Sequence, residues 1–385
     1  MEHPNKINII KRSIKIIISI ILFFLDTIII FIANIWFNTL GQSNKENNQK
    51  ILIVNTGALG DIIILINSLQ NIPLKERKVF NILVDKKYIS LFRQKGFDKL
   101  LAVDSKRYFK DFFYRSKFNI QLFKSNQYKI IANLRGSRNI IYEDSMVRFL
   151  KSKSKIALES DNFTNSKTLI NLLDSLIYNK IIQFDKKLIK HESEKSFLIF
   201  DAISDSPFFD KLNLNDISIF FEDLCLSRKI KDKYFTINVG AGQKWKKWEI
   251  EKFVELGNYI CSNTYLKAIY LGLEEDYRSI SRINSKIHPN SVNLCGKTNF
   301  HSYFSYIKNS EFSITNDSSA IHLSIFFQGK ALCIKSEFAN ESWYPYPKSV
   351  NQNKWRLIEG KKLKDISVNS ILTKIDDWIG LYGKI

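Results

Sequence analysis

The sequence predicts an α/β protein made of two doubly wound parallel-sheet domains, preceded by an apolar helix. Three observations carry this reading. Short apolar runs alternate with stretches of helical periodicity along the body, as in parallel sheets covered on both faces. The alternation occurs in two series, and each opens with an apolar strand and a glycine turn, at Ile51 and at Tyr234. A length of 385 residues suits two domains.

In the first series Ile51–Val54 is a strand ending in Asn55-Thr56-Gly57, and helix signals run from Asp61 to about Gln70, where Pro73 stops them. Val79–Val84, Leu100–Val103, Tyr128–Leu134 and Lys155–Leu158 are further strands, and His191–Ser204 is helical. The second series has strands at Tyr234–Val239, Leu266–Leu271, Val292–Leu294, Phe312–Thr315 and Lys330–Ile334. Helical periodicity covers Trp248–Cys261, Glu274–Lys286 and Ile366–Tyr382. The join falls near residues 205–233. The expected division is 1–49 for the apolar helix and linker, 50–207 and 208–362 for the two domains, and 363–385 for a closing helix.

Residues 14–37 form the most apolar stretch, preceded by Lys6, Lys11, Arg12 and Lys15. Their number suits a membrane span of about 20 residues, and no small-x-small cleavage site marks a signal peptide. The polar residues Lys11, Lys15, Ser19, Asp26, Asn34 and Asn38 follow one drifting helical stripe. Asp26 at the centre of a span is costly. The stretch is therefore read as an in-plane or re-entrant membrane helix, with a single span or a helix packed on the body as alternatives. Gly41–Lys50 reads as a polar linker.

The formal charge is +20. Scattered lysines on a solvated surface, or attraction to anionic lipid or an anionic substrate, account for it. Nucleic acid is not expected as a partner, because zinc-finger spacing, a basic zipper and a recognition helix are all missing. Cys225, Cys261, Cys295 and Cys333 are widely spaced and read as reduced thiols.

Ligands of doubly wound sheets bind beyond the carboxyl ends of the strands. That rule selects the loops Asn55–Asp61, Asn133–Arg138, Gly240–Lys247, Gly272–Asp276 and Thr315–His322. Gly57 and Gly60 permit a tight turn and close approach of a ligand. Asp61 is either a carboxylate complementing a helix N-terminus or a general base, and the loop alone does not choose. A dinucleotide fingerprint is incomplete, since Asn55 stands where its first glycine belongs, and no Gly-Lys-Ser/Thr makes a P-loop. The Gly240-Ala241-Gly242 turn with its lysines suits a diphosphate. Asp317 or Ser318 caps the next helix and offers its N–H groups to phosphate. His322, one turn in, reads on its own as a structural residue.

Together these loops resemble glycosyltransferase family 9, the heptosyltransferases. The resemblance rests on ILIVNTGALGD at 51–61, FTINVGAGQKWKKWEIEKFVEL at 235–256, LCGKTNF at 294–300 and ITNDSSAIHLS at 314–324, with weaker echoes in NLRGSR at 133–138 and KHESEK at 190–195. It covers roughly residues 50–335, in order. It implies the GT-B fold, two Rossmann-like domains facing a central cleft. It also implies inverting transfer of a heptose-like sugar from a nucleotide-diphosphate donor to a lipid-linked, anionic saccharide acceptor, in lipopolysaccharide or cell-surface glycan synthesis. Asp61 matches the family's catalytic base and Lys246 its donor-phosphate lysine, beside Gly240, Ala241 and Gly242. Asp317, Ser318, Ser319 and His322 match the donor-binding helix start, and Glu275 the acidic contact to the nucleotide sugar.

On the acceptor side stand Gly57 and Gly60, with Arg135 and Arg138 to hold a carboxylate or phosphate. No Asp-x-Asp lies near these loops, so neither a metal nor a cofactor is expected; the nucleotide sugar is the substrate. This sequence departs from the family at Asn55, at Asn133 in place of an aspartate, and at Ser319 in place of a glycine. A non-catalytic, membrane-tethered relative and a dinucleotide oxidoreductase are the rival readings. A nucleotide-sugar donor confined to the cytoplasm argues against a span that carries the body outside, and places the chain at the cytoplasmic face of the inner membrane.

Overall fold

The computed structural model describes residues 21–22, 24–29, 31–32, 49–124, 127–136, 138–139, 142–160, 171, 174–185, 187–204, 216–224, 232–281, 286–339 and 343–383. The chain divides into two compact units, Met1–Leu212 and Asn213–Ile385.

The first unit is built on a six-stranded parallel sheet with order β3-β2-β1-β4-β5-β6. Its strands are β1 (Ile51–Val54), β2 (Phe80–Asp85), β3 (Lys99–Val103), β4 (Tyr128–Asn133), β5 (Ser152–Leu158) and β6 (Lys180–Ile182). The central strand β1 is buried on both faces, and its sequence is accordingly apolar without alternation. Helices α2 (Leu59–Leu69), α3 (Ser105–Lys110), α4 (Phe112–Phe123), α5 (Glu143–Phe149) and α6 (Glu192–Ile203) cover the sheet. Leu52, Val54, Leu83, Tyr128, Met146 and Val147 belong to one core. Helix α2 packs against α6, where Ser68 and Ser196 share a buried hydrogen bond of 3.0 Å.

The second unit repeats the plan. Its sheet runs β12-β11-β10-β7-β8-β9, all parallel. The strands are β7 (Tyr234–Asn238), β8 (Lys267–Leu271), β9 (Ser291–Asn293), β10 (Ser313–Asn316), β11 (Ala331–Ser336) and β12 (Trp355–Gly360). The helices are α7 (Ile250–Asn263), α8 (Glu274–Ser281), α9 (Phe300–Lys308), α10 (Ser319–Phe326) and α11 (Val368–Gly380). Phe235, Ile237, Phe253, Phe312, Leu332 and Trp378 lie in its core.

Among the described residues, ten of the twelve strands overlap apolar runs in the sequence. The edge strands β6 and β12 do not; each is only partly buried and carries charged residues. The expected extension of α8 beyond Ser281 meets residues 282–285, which lie outside the described residues, as do residues 14–20 and 33–37 of the apolar stretch and most of the Gly41–Lys50 linker.

Residues 21–22, 24–29 and 31–32 are helical (α1). Asp26 is 1% exposed and sits against α4 and α5. Arg115 Nε donates to both of its carboxylate oxygens, at 3.0 and 3.3 Å, and Ser145 Oγ donates at 3.4 Å. Arg115 itself is 2% exposed. Burial pushes the Asp26 carboxyl above its ordinary range, and Arg115 opposes that shift. The charge that made a span costly is thus matched by a cation on the body. Among the described residues no helix is long and apolar enough to cross a membrane.

Removing one partner of a buried pair leaves an uncompensated charge, whereas removing both leaves none. Arg115→Met should lower the stability of the first unit by about 3 kcal/mol in urea denaturation. The double variant Asp26→Leu/Arg115→Met should recover most of that loss; a double variant as unstable as the single one would show that the pair's charge is not what matters.

Candidate active site

In both sheets the strand order is 3-2-1-4-5-6 when counted from the unit's own first strand. Chain growth therefore reverses beside β1 in the first unit and beside β7 in the second. Loops leaving the two neighbouring central strands diverge there and open a crevice at the carboxyl edge. The loops after β1 and β4 flank the first crevice, and those after β7 and β10 flank the second.

At the first crevice Asp61 lies in the opening turn of α2. The N-cap position is Ala58, which has no side-chain acceptor, and Asp61 Oδ2 instead accepts the Ala58 N–H at 2.8 Å. The other oxygen, Oδ1, faces Arg135 Nη1 at 2.5 Å. Asp61 and Arg135 each keep 19% of their side chains exposed. Arg135 Nε also lies 3.5 Å from Glu143 Oε1, and Glu143 is buried. The two oxygens of Glu143 accept from Thr56 Oγ1 and the Asn139 N–H, both at 3.0 Å. Burial pushes the Glu143 carboxyl up, with Arg135 opposing. Burial by itself would lower the guanidinium of Arg135, but Asp61 and Glu143 carry it above its ordinary range. Arg135 is therefore a permanent cation shared by two acids, one open and one enclosed.

Gly57 makes this packing possible. A Cβ there would lie 2.4 Å from Arg135 Nη1 and 2.5 Å from Asp61 Cγ. Gly60 is in the first turn of α2, next to Asp61, and is partly buried.

The sequence sets Arg138 beside Arg135 as an acceptor ligand, and its placement does not fit that role. It is 1% exposed, pairs with Asp144 at 3.2 Å and Asp174 at 2.7 Å, and lies over the Tyr178 ring at 4.8 Å. Tyr178 in turn donates to Asp144 at 2.6 Å and accepts from Asn133 Nδ2 at 2.8 Å. Arg138 anchors the loop, and Asn133 Oδ1 accepts the Arg135 N–H at 3.2 Å. Asparagine at 133 thus both donates and accepts, which an ionised aspartate cannot do.

At the second crevice Lys246 Nζ meets Asp317 Oδ2 at 2.6 Å, with 22% and 8% of the side chains exposed. Tyr344 donates to the other oxygen of Asp317 at 3.0 Å. Ser318, not Asp317, is the N-cap of α10. Ser319 starts that helix, partly exposed, so its first N–H groups lie beside the ion pair. Asn316 braces the glycine turn: its Oδ1 accepts the Trp248 N–H at 2.9 Å and its Nδ2 donates to the Val239 carbonyl at 2.8 Å. Gly240 and Ala241 are partly exposed, and a Cβ on Gly242 would meet open space.

His322 is buried, its Nδ1 2.6 Å from the Tyr346 hydroxyl and its ring 4.8 Å from that of Trp343. It supports the helix start from behind. Glu275 is exposed, and its contact is to Lys247 at 2.9 Å, which pulls its carboxyl below the usual range. The acid turned into the loop is its neighbour Asp276, which binds Lys247 at 2.8 Å and accepts the Leu273 N–H at 2.8 Å. A Cβ on Gly272 would come 2.8 Å from Asp276 Oδ2.

Sequence reasoning does not single out Glu143, Asp276, Asn316, Tyr344 or Tyr346. Asn316 and Asp276 lie inside the selected loops. The tyrosines stand in an aromatic and proline run, WYPYP at 343–347, that marks a packed segment; Glu143 sits at no telling spacing from Arg135. Cys261, Cys295 and Cys333 are buried free thiols. Among the described residues no group of three His, Cys, Asp or Glu side chains is placed to hold a metal ion.

Known proteins share this architecture. Residues 147–371, more than half of the chain, match the family model described as glycosyltransferase family 9 (heptosyltransferase). The matched stretch holds the whole second crevice and begins after Asp61 and Arg135. No curated protein matches the sequence. Among solved structures, E. coli heptosyltransferase WaaC with ADP is similar at 15% identity and TM-score 0.66, covering 86% of this chain and 99% of that one. A family 9 glycosyl transferase from Veillonella parvula has 14% identity and TM-score 0.64, covering 88% and 99%. The E. coli ADP-heptose lps heptosyltransferase II has 12% identity and TM-score 0.58, covering 86% and 99%. At such identities the structural likeness establishes the fold.

Filling the Gly57 position forces the Asp61–Arg135 pair apart. Gly57→Ala should cost about 1–3 kcal/mol, the usual penalty of overpacking, read by thermal and urea unfolding. Gly242→Ala, which points into open space, should leave stability unchanged.

Proposed function

Because the chain belongs to glycosyltransferase family 9 (heptosyltransferase), we propose that it moves a heptose-like sugar, with inversion, from a nucleotide-diphosphate donor to a lipid-linked saccharide acceptor in lipopolysaccharide or cell-surface glycan synthesis, working at the cytoplasmic face of the inner membrane. Residues 50–207 form the acceptor domain and 208–362 the donor domain, closed by the helix of 363–385. E. coli heptosyltransferase WaaC, which shares this fold, is solved with ADP and with ADP-2-deoxy-2-fluoro heptose, and an ADP-linked heptose is the first donor to test.

One observation supports the chemistry most. Of the two acids that share Arg135, Asp61 is open to solvent and Glu143 is enclosed. Asp61 also has a fixed orientation, with one oxygen tied to the start of α2. Such a carboxylate is suited to accept a proton from an acceptor hydroxyl. The hydroxyl oxygen attacks the anomeric carbon as its proton passes to Asp61. The bond from that carbon to the diphosphate oxygen breaks, and the nucleoside diphosphate leaves with the electron pair. Lys246 and the first N–H groups of α10 at Ser318–Ser319, beside the Gly240–Gly242 turn, meet the growing negative charge. Asp317 holds Lys246 in place until phosphate oxygens compete for it. Arg135 receives an anionic group of the acceptor from its open side, which draws it from Asp61 as the substrate arrives. Arg138, Glu275 and His322 act by holding these loops.

Transfer is followed by mass spectrometry with a panel of nucleotide sugars. Asp61→Ala should lower kcat by about a thousandfold without loss of fold, and an active, saturable Asp61→Ala enzyme would remove Asp61 as the base. Lys246→Ala should cost about a hundredfold. Lys246 and the helix N–H groups supply the positive charge, so activity should survive chelation with EDTA; its loss, restored by added metal, would overturn that part of the reading. Donor binding with no turnover under any condition would favour a non-catalytic relative.

A further inference from the structure

The outer face of α1 is apolar but for Thr27. Ile21, Phe24, Leu25, Ile28, Phe31 and Ile32 follow one another at helical spacing and are between 41% and 63% exposed. The opposite stripe, Leu22, Asp26 and Ile29, faces the body, with Asp26 buried and Leu22 and Ile29 partly so. This inverts a surface helix of a water-soluble protein, which turns its apolar stripe inward and its charges outward. The inward charge is held by a built polar site. Arg115 of α4 and Ser145 of α5 bind Asp26 directly, and Tyr108 and Asn119 extend the network at 2.7 Å and 3.5 Å. The helix is thus fixed lengthwise against the first unit, with its apolar side outermost.

We propose that this outer face is a monolayer anchor: α1 lies in the plane of an anionic membrane leaflet, inserted by its six apolar side chains, and Asp26–Arg115 ties it to the first unit. Charge argues for lipid rather than for a second copy of the chain. The segment 105–124, which includes the helix that holds Asp26, carries six Lys or Arg and one Asp. Lys106, Arg107, Lys110, Lys117 and Lys124 are exposed there, as is Phe113 at 83%. Four more basic residues precede the apolar stretch or stand at its start in the sequence. Cations on the segment that holds an apolar helix draw anionic headgroups, whereas two copies of so basic a segment brought together repel. The inference extends the membrane location proposed above. Its test reads binding and not transfer, so it fails or stands separately from the enzymatic reading.

The full-length chain is floated with vesicles of phosphatidylglycerol and phosphatidylethanolamine and with vesicles of phosphatidylcholine alone. Binding is expected to the first only. Ile28→Ser/Phe31→Ser/Ile32→Ser, which leaves the clamp intact, should lower the bound fraction at least tenfold with an unchanged melting temperature. Phe31→Trp serves as a second probe, and brominated lipid should quench the fluorescence that this substitution adds. Protease added outside loaded vesicles should remove an N-terminal tag and digest the body alike. Undiminished flotation of the triple variant, or added fluorescence that brominated lipid leaves unquenched, would overturn the proposal. So would a tag protected from protease, which indicates a span, or a lipid-free dimer that the triple variant converts to monomer, which indicates a second copy on this face.

Discussion

Each unit depends on one constraint of parallel sheets: every strand ends at the same edge, and where the order of strands reverses, two loops part. The reversal lies between β1 and β4 in the first unit and between β7 and β10 in the second. An ion pair bridges each gap, Asp61–Arg135 in one and Lys246–Asp317 in the other. In both, the acid stands in the first turn of a helix or just before it, and the cation comes from the loop across the gap. The balance of charge differs all the same. The first crevice sets one cation, Arg135, against two acids, Asp61 and Glu143. The second sets Lys246 beside a helix N-terminus and a glycine turn, where an anion is welcome.

Glycine at 57 and asparagines at 133 and 316 show how little material builds these gaps. Gly57 contributes only the absence of a side chain, and the pair fills the space. The asparagines do what aspartates cannot, donating to one group while accepting from another. Asn133 keeps the loop placed so that Arg135 reaches Asp61.

Most of the fold was legible because the strands buried along their whole length, β1, β7, β10 and β11, overlap apolar runs; β1 is apolar throughout, while the others also bury polar residues such as Thr236, Thr315 and Lys335. Edge strands β6 and β12 were not; neither has a fully buried residue, and charged residues interrupt them. The loops of the candidate site were legible by rule, from strand ends and glycines. Which side chains in them face the crevice was not. Arg135 and Arg138 stand three residues apart with equal promise on paper; one is open and the other is enclosed by Asp144 and Asp174. Glu275 and Asp276 are similarly indistinguishable in sequence, and only the turn at Gly272 decides that Asp276 points inward. Glu143 comes from a helix far along the chain, and no local pattern ties it to Asp61.

Asp26 carries the same lesson further. In the sequence it is a defect in an apolar stretch, and its cost is reckoned against lipid. Arg115 lies 89 residues away, and no spacing connects the two. Once they are paired, the acid faces protein rather than lipid, and its burial is matched by a guanidinium that is buried as well. A charge buried with its partner contributes little net stability, but it discriminates strongly between arrangements, because every rotation or withdrawal of the helix strands both ions. One acid therefore sets which side of α1 meets the body, and with it which side is left apolar and outward.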